Sequence, residues 1–307
     1  MGSLTFSLRP VPPFRLDLTV WVLRRRVNNA VDRWDGTTWR RVLVLHNRPV
    51  EVRVTQTSPV DAPRLQVAVT GARLAQDSQS KVTATLKRVL GLRLDLSEFY
   101  QFSSRDRKLR TLTQSFRGFR PPKFPSVFEA AINAIACQQL SLTLGIHLLN
   151  RLAEHYGLAF EGPNGRAYSF TRPEALAEAR PDALRRLGFS RQKARALIEL
   201  SQAVASGDFD PESIVELDDE VALSRLLELR GIGRWSAEYV LLRGLGRVHI
   251  FPGDDVGARK RLQDWLDLEE SLDYDGVHRV LGRWDRYGGL VYFHMLLTGL
   301  AEAGYLS

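Results

Sequence analysis

The sequence predicts an α+β protein: a small antiparallel sheet with flanking helices in the N-terminal part, then an all-α domain. Three observations lead there. Val42 and Val44, then Val50, Val52 and Val54, then Leu65, Val67 and Val69 alternate with other residues, the period of half-buried strands. The segments between them, His46-Asn47-Arg48-Pro49 and Ser58-Pro59-Val60-Asp61-Ala62-Pro63, are turn chemistry. From Ser126 nearly to the end the apolar spacing is helical instead, interrupted by Gly and Pro.

Each element follows in order. Leu16–Arg26 is amphipathic, as is Lys81–Leu92, with Val82, Leu86, Val89 and Leu90 on one face. Both predict helices packed on one side of the sheet. A basic, turn-rich join follows, from Ser103-Ser104-Arg105-Asp106-Arg107-Lys108 to Phe119-Arg120-Pro121-Pro122-Lys123-Phe124-Pro125, and the predicted domains are 1–112 and 113–307. Ser126 and Glu129 have the spacing of a capping box, opening an apolar-periodic run through Leu149. Further helices are expected at Pro173–Arg180, Pro181–Leu187, Arg191–Ser206, Asp219–Glu228, Ser236–Arg243, Asp255–Leu266, Tyr274–Trp284 and Tyr287–Ala303.

Composition narrows the function. The 307 residues are 44 % hydrophobic and 25 % charged, which excludes a disordered or fibrous chain. No apolar run approaches the length of a membrane span, and the start lacks the basic and apolar regions of a secretory signal. A cytoplasmic protein without a membrane partner is the expectation. Lys and Arg total 43 against 35 Asp and Glu, so the net charge of +8 favours a polyanion as partner. The single cysteine, Cys137, excludes an intrachain disulfide, a zinc-thiolate site and a four-cysteine iron–sulfur cluster. The six histidines are scattered, with no His-Glu-x-x-His motif.

The most informative stretch is Leu229-Arg230-Gly231-Ile232-Gly233-Arg234-Trp235-Ser236-Ala237-Glu238-Tyr239. Glycines at alternate positions between two helices permit positive φ and close approach of another backbone. They leave the N–H groups of the second helix pointing outward, as at an anion site. An ordinary helix–helix turn would read the same. Downstream, Asp254 and Asp255 stand together at a helix start, where a carboxylate taken alone is more often an N-cap than a functional group. Upstream, Gln138-Gln139-Leu140-Ser141 interrupts an apolar helix.

Together, in this order and spacing, these segments resemble the helix-hairpin-helix (HhH-GPD) DNA glycosylase superfamily, and within it the 3-methyladenine DNA glycosylase II (AlkA-type) branch. Phe119-Arg120-Pro121-Pro122, Leu187-Gly188-Phe189-Ser190-Arg191-Gln192-Lys193-Ala194 and Trp284 extend the match over most of the chain. The resemblance implies a TATA-binding-protein-like N-terminal domain and two helical lobes with an active-site cleft between them. It makes Asp255 the essential carboxylate, with Asp254 as its cap or neighbour. Trp235 stands where lyase-competent members carry a lysine, so the implied enzyme is monofunctional, with no amine for a Schiff base. The missing cysteine cluster also argues against the endonuclease III branch.

The implied base pocket comprises Trp235, Tyr239, Leu296 and Phe293, with Tyr292 close by; Leu296 replaces an expected tryptophan. The implied DNA-contacting residues are Gln138, Gln139, Leu140, Ser141, Gly231, Gly233, Arg234 and Ser236. The intercalating wedge falls at Gln139, beside Leu140. The usual Trp-x-Pro reads Trp284-Asp285-Arg286 here. Among the nearby basic residues Arg191, Lys193, Arg243, Arg259 and Lys260, some would touch phosphate and most would be solvated helix faces. No cofactor is required, but main-chain carbonyls of Leu227, Leu229 and Ile232 would hold a structural alkali or alkaline-earth ion.

The implied activity is excision of alkylated purines, 3-methyladenine and 7-methylguanine, from double-stranded DNA after base flipping, by a monomer that needs no protein partner. Two rivals stand beside it. One is a glycosylase for another damaged or mismatched base; the other is a non-catalytic hairpin-bearing DNA-binding protein. Asp255 separates the second from the main reading, because a pure binder has no use for a carboxylate facing a polyanion.

Overall fold

The computed structural model describes residues 2–306; residues 1 and 307, the outer bounds of the predicted domains, lie outside the described residues. Five strands form one antiparallel sheet in the order β1-β5-β4-β3-β2: β1 (Gly2–Leu8), β2 (Arg33–Trp34), β3 (Thr38–Leu45), β4 (Arg48–Gln56) and β5 (Leu65–Gly71). Val50, Val52 and Val54 of β4 and Leu65, Val67 and Val69 of β5 turn to the core, as their alternation predicts. On β3 the register differs from the expected one. Trp39 and Leu43 join the main core, while Val42 faces the opposite side, against Phe160 and Ala167. Those two belong to a hairpin, β6 (Ala159–Gly162) and β7 (Gly165–Tyr168), that covers β3 locally, so both faces of the strand are buried.

That hairpin is the one departure from helix after Ser126 among the described residues. Its turn, Gly162-Pro163-Asn164-Gly165, carries an Asn-Gly signal and needs glycine at 165, where φ is +90°. β1 also lacked a sequence-based expectation, although Leu4, Phe6 and Leu8 alternate there.

Helix α1 (Leu16–Arg24) lies between two cores. Leu16, Val20 and Leu23 pack with the sheet; Leu18 and Val22 pack with the C-terminal helices. A helix apolar on all sides has to be buried on all sides, and at about 1.5–3 kcal/mol per fully buried aliphatic side chain these contacts join the sheet to the C-terminal helices. Helices α2 (Ser78–Val89), α3 (Ser97–Ser103) and α4 (Arg107–Ser115) follow; the expected join at 103–108 is the short turn between α3 and α4. The predicted division at 112/113 falls inside α4.

The run from Ser126 to Leu149 divides into α5 (Val127–Cys137) and α6 (Leu142–Tyr156) around Gln138–Ser141. Ser126 Oγ caps α5 by accepting the Glu129 N–H at 3.0 Å, but the box is not closed. Instead the Glu129 carboxylate accepts two bonds at 2.6 Å from Arg41, whose other nitrogen bonds Asp32. This buried ion group ties β3 to the start of α5. Burial pushes the Glu129 carboxyl up, against the pull of Arg41.

The remaining helices are α7 (Pro173–Ala177), α8 (Pro181–Arg186), α9 (Arg191–Ser206), α10 (Asp219–Leu227), α11 (Arg234–Val240), α12 (Val256–Leu266), α13 (Tyr274–Leu281) and α14 (Gly288–Glu302). α11 runs on through a π turn, Leu241–Leu245, and a 3-10 segment, Gly282–Tyr287, links α13 to α14. Among the described residues no helix is long and apolar enough to cross a membrane.

Candidate active-site cleft

The turn from α10 to α11 shows why two glycines stand there, each for its own reason. Gly231 has φ +80°, and a Cβ on it would lie 2.7 Å from the Ala196 Cβ on α9. A side chain is excluded twice. Gly233 caps α11 with an ordinary φ of −99°, and an added Cβ would meet nothing within 4 Å. The fold itself makes no demand for glycine at 233, where the space beside it is open, and no side chain caps the first N–H groups of α11. Within the turn the Leu229 carbonyl accepts the Ile232 N–H at 3.1 Å, which leaves it a second lone pair. Leu227 is exposed and Ile232 is buried.

α11 also pins the loop that carries the carboxylates. The buried Glu238 accepts the Gly253 N–H at 3.0 Å and the Tyr274 hydroxyl at 2.6 Å. Gly253 is packed so tightly that a Cβ would lie 2.8 Å from the Tyr274 ring. Burial, with this bond and the adjacent charge, raises the Tyr274 phenol, so it stays a donor. Arg234 lies 3.6 Å from the centroid of the same ring and bonds Asp254 at 2.7 Å.

Asp255 is the N-cap of α12, and its two oxygens are divided between two tasks. Oδ1 accepts the Ala258 N–H at 2.9 Å. Oδ2 accepts the Tyr292 hydroxyl at 2.9 Å and the Trp235 indole N–H at 3.3 Å. Asp254 is therefore the neighbour and not the cap. Burial, then the charge of Asp255, raises the Tyr292 phenol well above its usual range, so it remains a protonated donor to Asp255.

These groups open onto a cleft of about 1280 Å³ whose walls include Trp21 and Val22 of α1, Trp235, Asp255, Tyr292 and Leu296. Leu296 is half-buried there, one helical turn after Tyr292. Phe293 is fully buried and absent from the lining; it packs on Phe119 and Tyr292 behind the wall, because α14 turns it to the second core. Trp235 presents an accessible ring, with Tyr239 5.3 Å behind it. Tyr239 is only 3 % exposed; its hydroxyl accepts Arg25 at 2.9 Å and Arg243 lies 5.6 Å from its ring. It backs Trp235 and lines the cleft with little exposed surface.

Other expected contacts are rearranged. Ser236 is buried, and its Oγ accepts the Gln138 amide at 2.6 Å, so these two bind each other. Ser141 Oγ caps α6 by accepting the Leu144 N–H at 3.3 Å. Arg243 is wholly buried and donates to the Val22 carbonyl at 2.9 Å, so it is no phosphate ligand. Gln139, Leu140, Gly231, Gly233 and Arg234 are exposed around the cleft mouth and the hairpin. Sequence reasoning missed Arg25, Trp21 and Glu238. Glu238 sits beside the motif, but Arg25 and Trp21 come from more than 200 residues away in the chain, with no local signal. Among the described residues there is no cluster of three or more His, Cys, Asp or Glu suited to a metal, and no lysine lines the cleft.

Residues 132–286 match the model of the family described as HhH-GPD superfamily base excision DNA repair protein. The DNA-3-methyladenine glycosylase of Bacillus subtilis is 26 % identical over 201 residues, 66 % of this chain and 66 % of that protein. DNA-3-methyladenine glycosylase 2 of Escherichia coli is 31 % identical over 181 residues, 59 % of this chain and 61 % of that protein. The match thus spans somewhat under two thirds of the length of these curated relatives. The solved structure of the 3-methyladenine DNA-glycosylase from Archaeoglobus fulgidus superposes with a TM-score of 0.83 at 28 % identity, over 95 % of this chain and 97 % of that one.

Proposed function

This chain belongs to the HhH-GPD superfamily of base excision DNA repair proteins, in its AlkA-type branch, and from that premise we propose that it is a monofunctional DNA glycosylase. Its substrates would be alkylated purines in duplex DNA, 3-methyladenine and 7-methylguanine first, and it would act as a monomer. One observation carries the reading: Asp255 holds one oxygen in a helix cap and turns the other into the cleft, beside Trp235 and Tyr292.

The hairpin grips the backbone through the open first turn of α11 at Gly233, which suits a phosphate. The 139–140 tip fills the gap while the damaged nucleotide turns out into the cleft. An N3- or N7-alkylated purine is cationic, and the accessible face of Trp235 attracts it. As the glycosidic bond breaks, its electron pair goes to the base, which leaves neutral, and positive charge develops on the sugar. Asp255 stabilises that charge and orients the water whose oxygen bonds the anomeric carbon. Asp255 or solvent takes the proton that this water loses.

With tryptophan at 235 and no lysine in the lining, the cleft offers no amine for strand cleavage. An alkali or alkaline-earth ion held by the carbonyls of Leu227, Leu229 and Ile232 would add positive charge next to the gripped phosphate.

The test is incubation with methylated duplex DNA. Free methylated base should appear, with the strand intact until alkali is added. Strand nicks without alkali would refute the monofunctional assignment, and no release from any alkylated duplex would refute the glycosylase reading.

A further inference from the structure

The tip between α5 and α6 has a backbone that the sequence alone does not favour. Gln139 lies in the left-handed region at φ +52°, where a residue with a Cβ is disfavoured. It is exposed, as is Leu140 beside it at 37 %. Nothing in the tip's own side chains accounts for this conformation, but two neighbours fix the residues just before it.

Lys193, in the first turn of α9, reaches across to the end of α5. Its ammonium donates to the carbonyl of Ala136 at 2.9 Å and to that of Gln138 at 2.6 Å. A cation is favoured there, because the last carbonyls of a helix have no intrahelical partner and carry the negative end of its dipole. Gln138, with ψ 138°, has already left the helix. Its side-chain amide donates to the Gly231 carbonyl and to Ser236 Oγ, one on the hairpin turn and one on α11. The residue before the tip is therefore held from both ends, its carbonyl by α9 and its amide by the hairpin.

We propose that Gln138 and Lys193 are positioning residues that hold Gln139 left-handed and tie the exposed 139–140 tip to the hairpin, so that backbone grip and tip insertion occur as one rigid unit. The inference rests on the glycosylase reading above. It makes a distinct demand, however: the lock matters only when a base pair has to be broken and the gap filled. Holding an extruded nucleotide, or cleaving its bond, draws on Asp255 and Trp235 instead.

The experiment compares wild type with Gln138→Ala, Lys193→Met and Lys193→Arg in single-turnover base release. One duplex carries the lesion in a normal pair; the other carries it opposite an abasic site, where no pair has to be broken. 2-Aminopurine at the target position reports extrusion directly. Because opening the pair is the step the tip assists, Gln138→Ala and Lys193→Met should slow release from the paired duplex about tenfold and lower the fluorescence amplitude. The abasic-paired duplex should change by less than about twofold. Lys193→Arg can still donate to both carbonyls and should restore the paired rate.

Equal losses on the two duplexes, or an unchanged paired rate and fluorescence, would overturn the lock while leaving the glycosylase reading intact. A wild-type protein that releases base from neither duplex would overturn the glycosylase reading itself, and the lock with it.

Discussion

Replacing Asp255 by Asn isolates charge from shape. The carboxylate accepts the Ala258 N–H on Oδ1, and the Tyr292 hydroxyl and Trp235 N–H on Oδ2. An amide can keep the cap only by pointing its NH2 at Trp235, whose indole nitrogen cannot accept. Turning the amide over frees that contact but loses the cap. Either way the folded state loses about 1 kcal/mol, too little to unfold a chain of this size. Catalysis should suffer far more. A carboxylate about 4 Å from a developing unit positive charge, at an effective dielectric constant of about 20, is worth about 4 kcal/mol. That corresponds to about a thousandfold in rate. DNA affinity should hold or rise, since a negative charge near phosphates is gone. Single-turnover release of methylated base, with filter binding on the same duplex, reads both quantities. Release at near the wild-type rate would refute Asp255 as the acting group and direct attention to Asp254, which in this structure is bound to Arg234.

Binding should weaken with salt, log affinity falling by about 0.9 per decade for each phosphate contacted, and a flat dependence would count against a nucleic-acid partner. Gly233→Ala, with open space around its Cβ, should fold normally yet bind all duplexes less well, whereas Gly231→Ala should lower the melting temperature because it meets Ala196 at positive φ. Borohydride reduction with alkylated or abasic DNA should trap no covalent adduct; a trapped species would reveal a lysine nucleophile that the cleft lining lacks. Buried His294, held near a pKa of about 4 by desolvation, stays neutral when folded but takes a proton when unfolded, so its contribution to stability is complete above about pH 6.5 and lost as pH falls toward 4. His294→Leu should remove about 2 kcal/mol of the stability difference between pH 7.5 and pH 5, measured by urea unfolding; an unchanged difference would show that other groups set it. Leu296→Trp should narrow the cleft and cost bulky lesions such as ethenoadenine about tenfold relative to 3-methyladenine, and unchanged relative rates would remove position 296 from the pocket.

The sequence made legible what is local. Strand alternation, helix periodicity and the hairpin glycines each follow from residues within one or two turns of one another, and β3 to β5, α1, α2, the helices after Ser126 and the α10–α11 turn stand close to where they were expected, whereas β2, α3 and α4 carried no expectation. Two further signals were equally local and went unread: Leu4-x-Phe6-x-Leu8 for β1, and Asn164-Gly165 for the β6–β7 hairpin. The remainder was not local. β3 faces Trp39 and Leu43 inward because the hairpin covers Val42 from the other side, and a period of two cannot say which face is covered first. Glu129 has capping-box spacing but serves Arg41, a partner 88 residues away. Ser236 and Gln138 look like surface contacts in isolation and are spent on each other.

Asp255 shows why a motif can be located from sequence while its chemistry stays undecided. An aspartate at a helix start reads as a cap or as an acting carboxylate, and the two readings seem exclusive while the side chain is treated as one acceptor. It has two oxygens. The cap fixes Oδ1, which sets the plane of the carboxylate, and Tyr292 with Trp235 then fixes Oδ2 from the cleft side. The structural role thus prepares the proposed chemical one, since a carboxylate free to rotate would spread its charge over many positions and lose the preorganisation that stabilises a short-lived cation. The same division explains Glu238 and Gly253. By holding the loop to α11 they set the distance between the hairpin, proposed to grip the backbone, and the carboxylate, proposed to meet the sugar. A Glu238→Gln variant tests this relation: it keeps an acceptor for one donor but weakens the loop's anchor, and its rate should fall while its salt-dependent affinity does not.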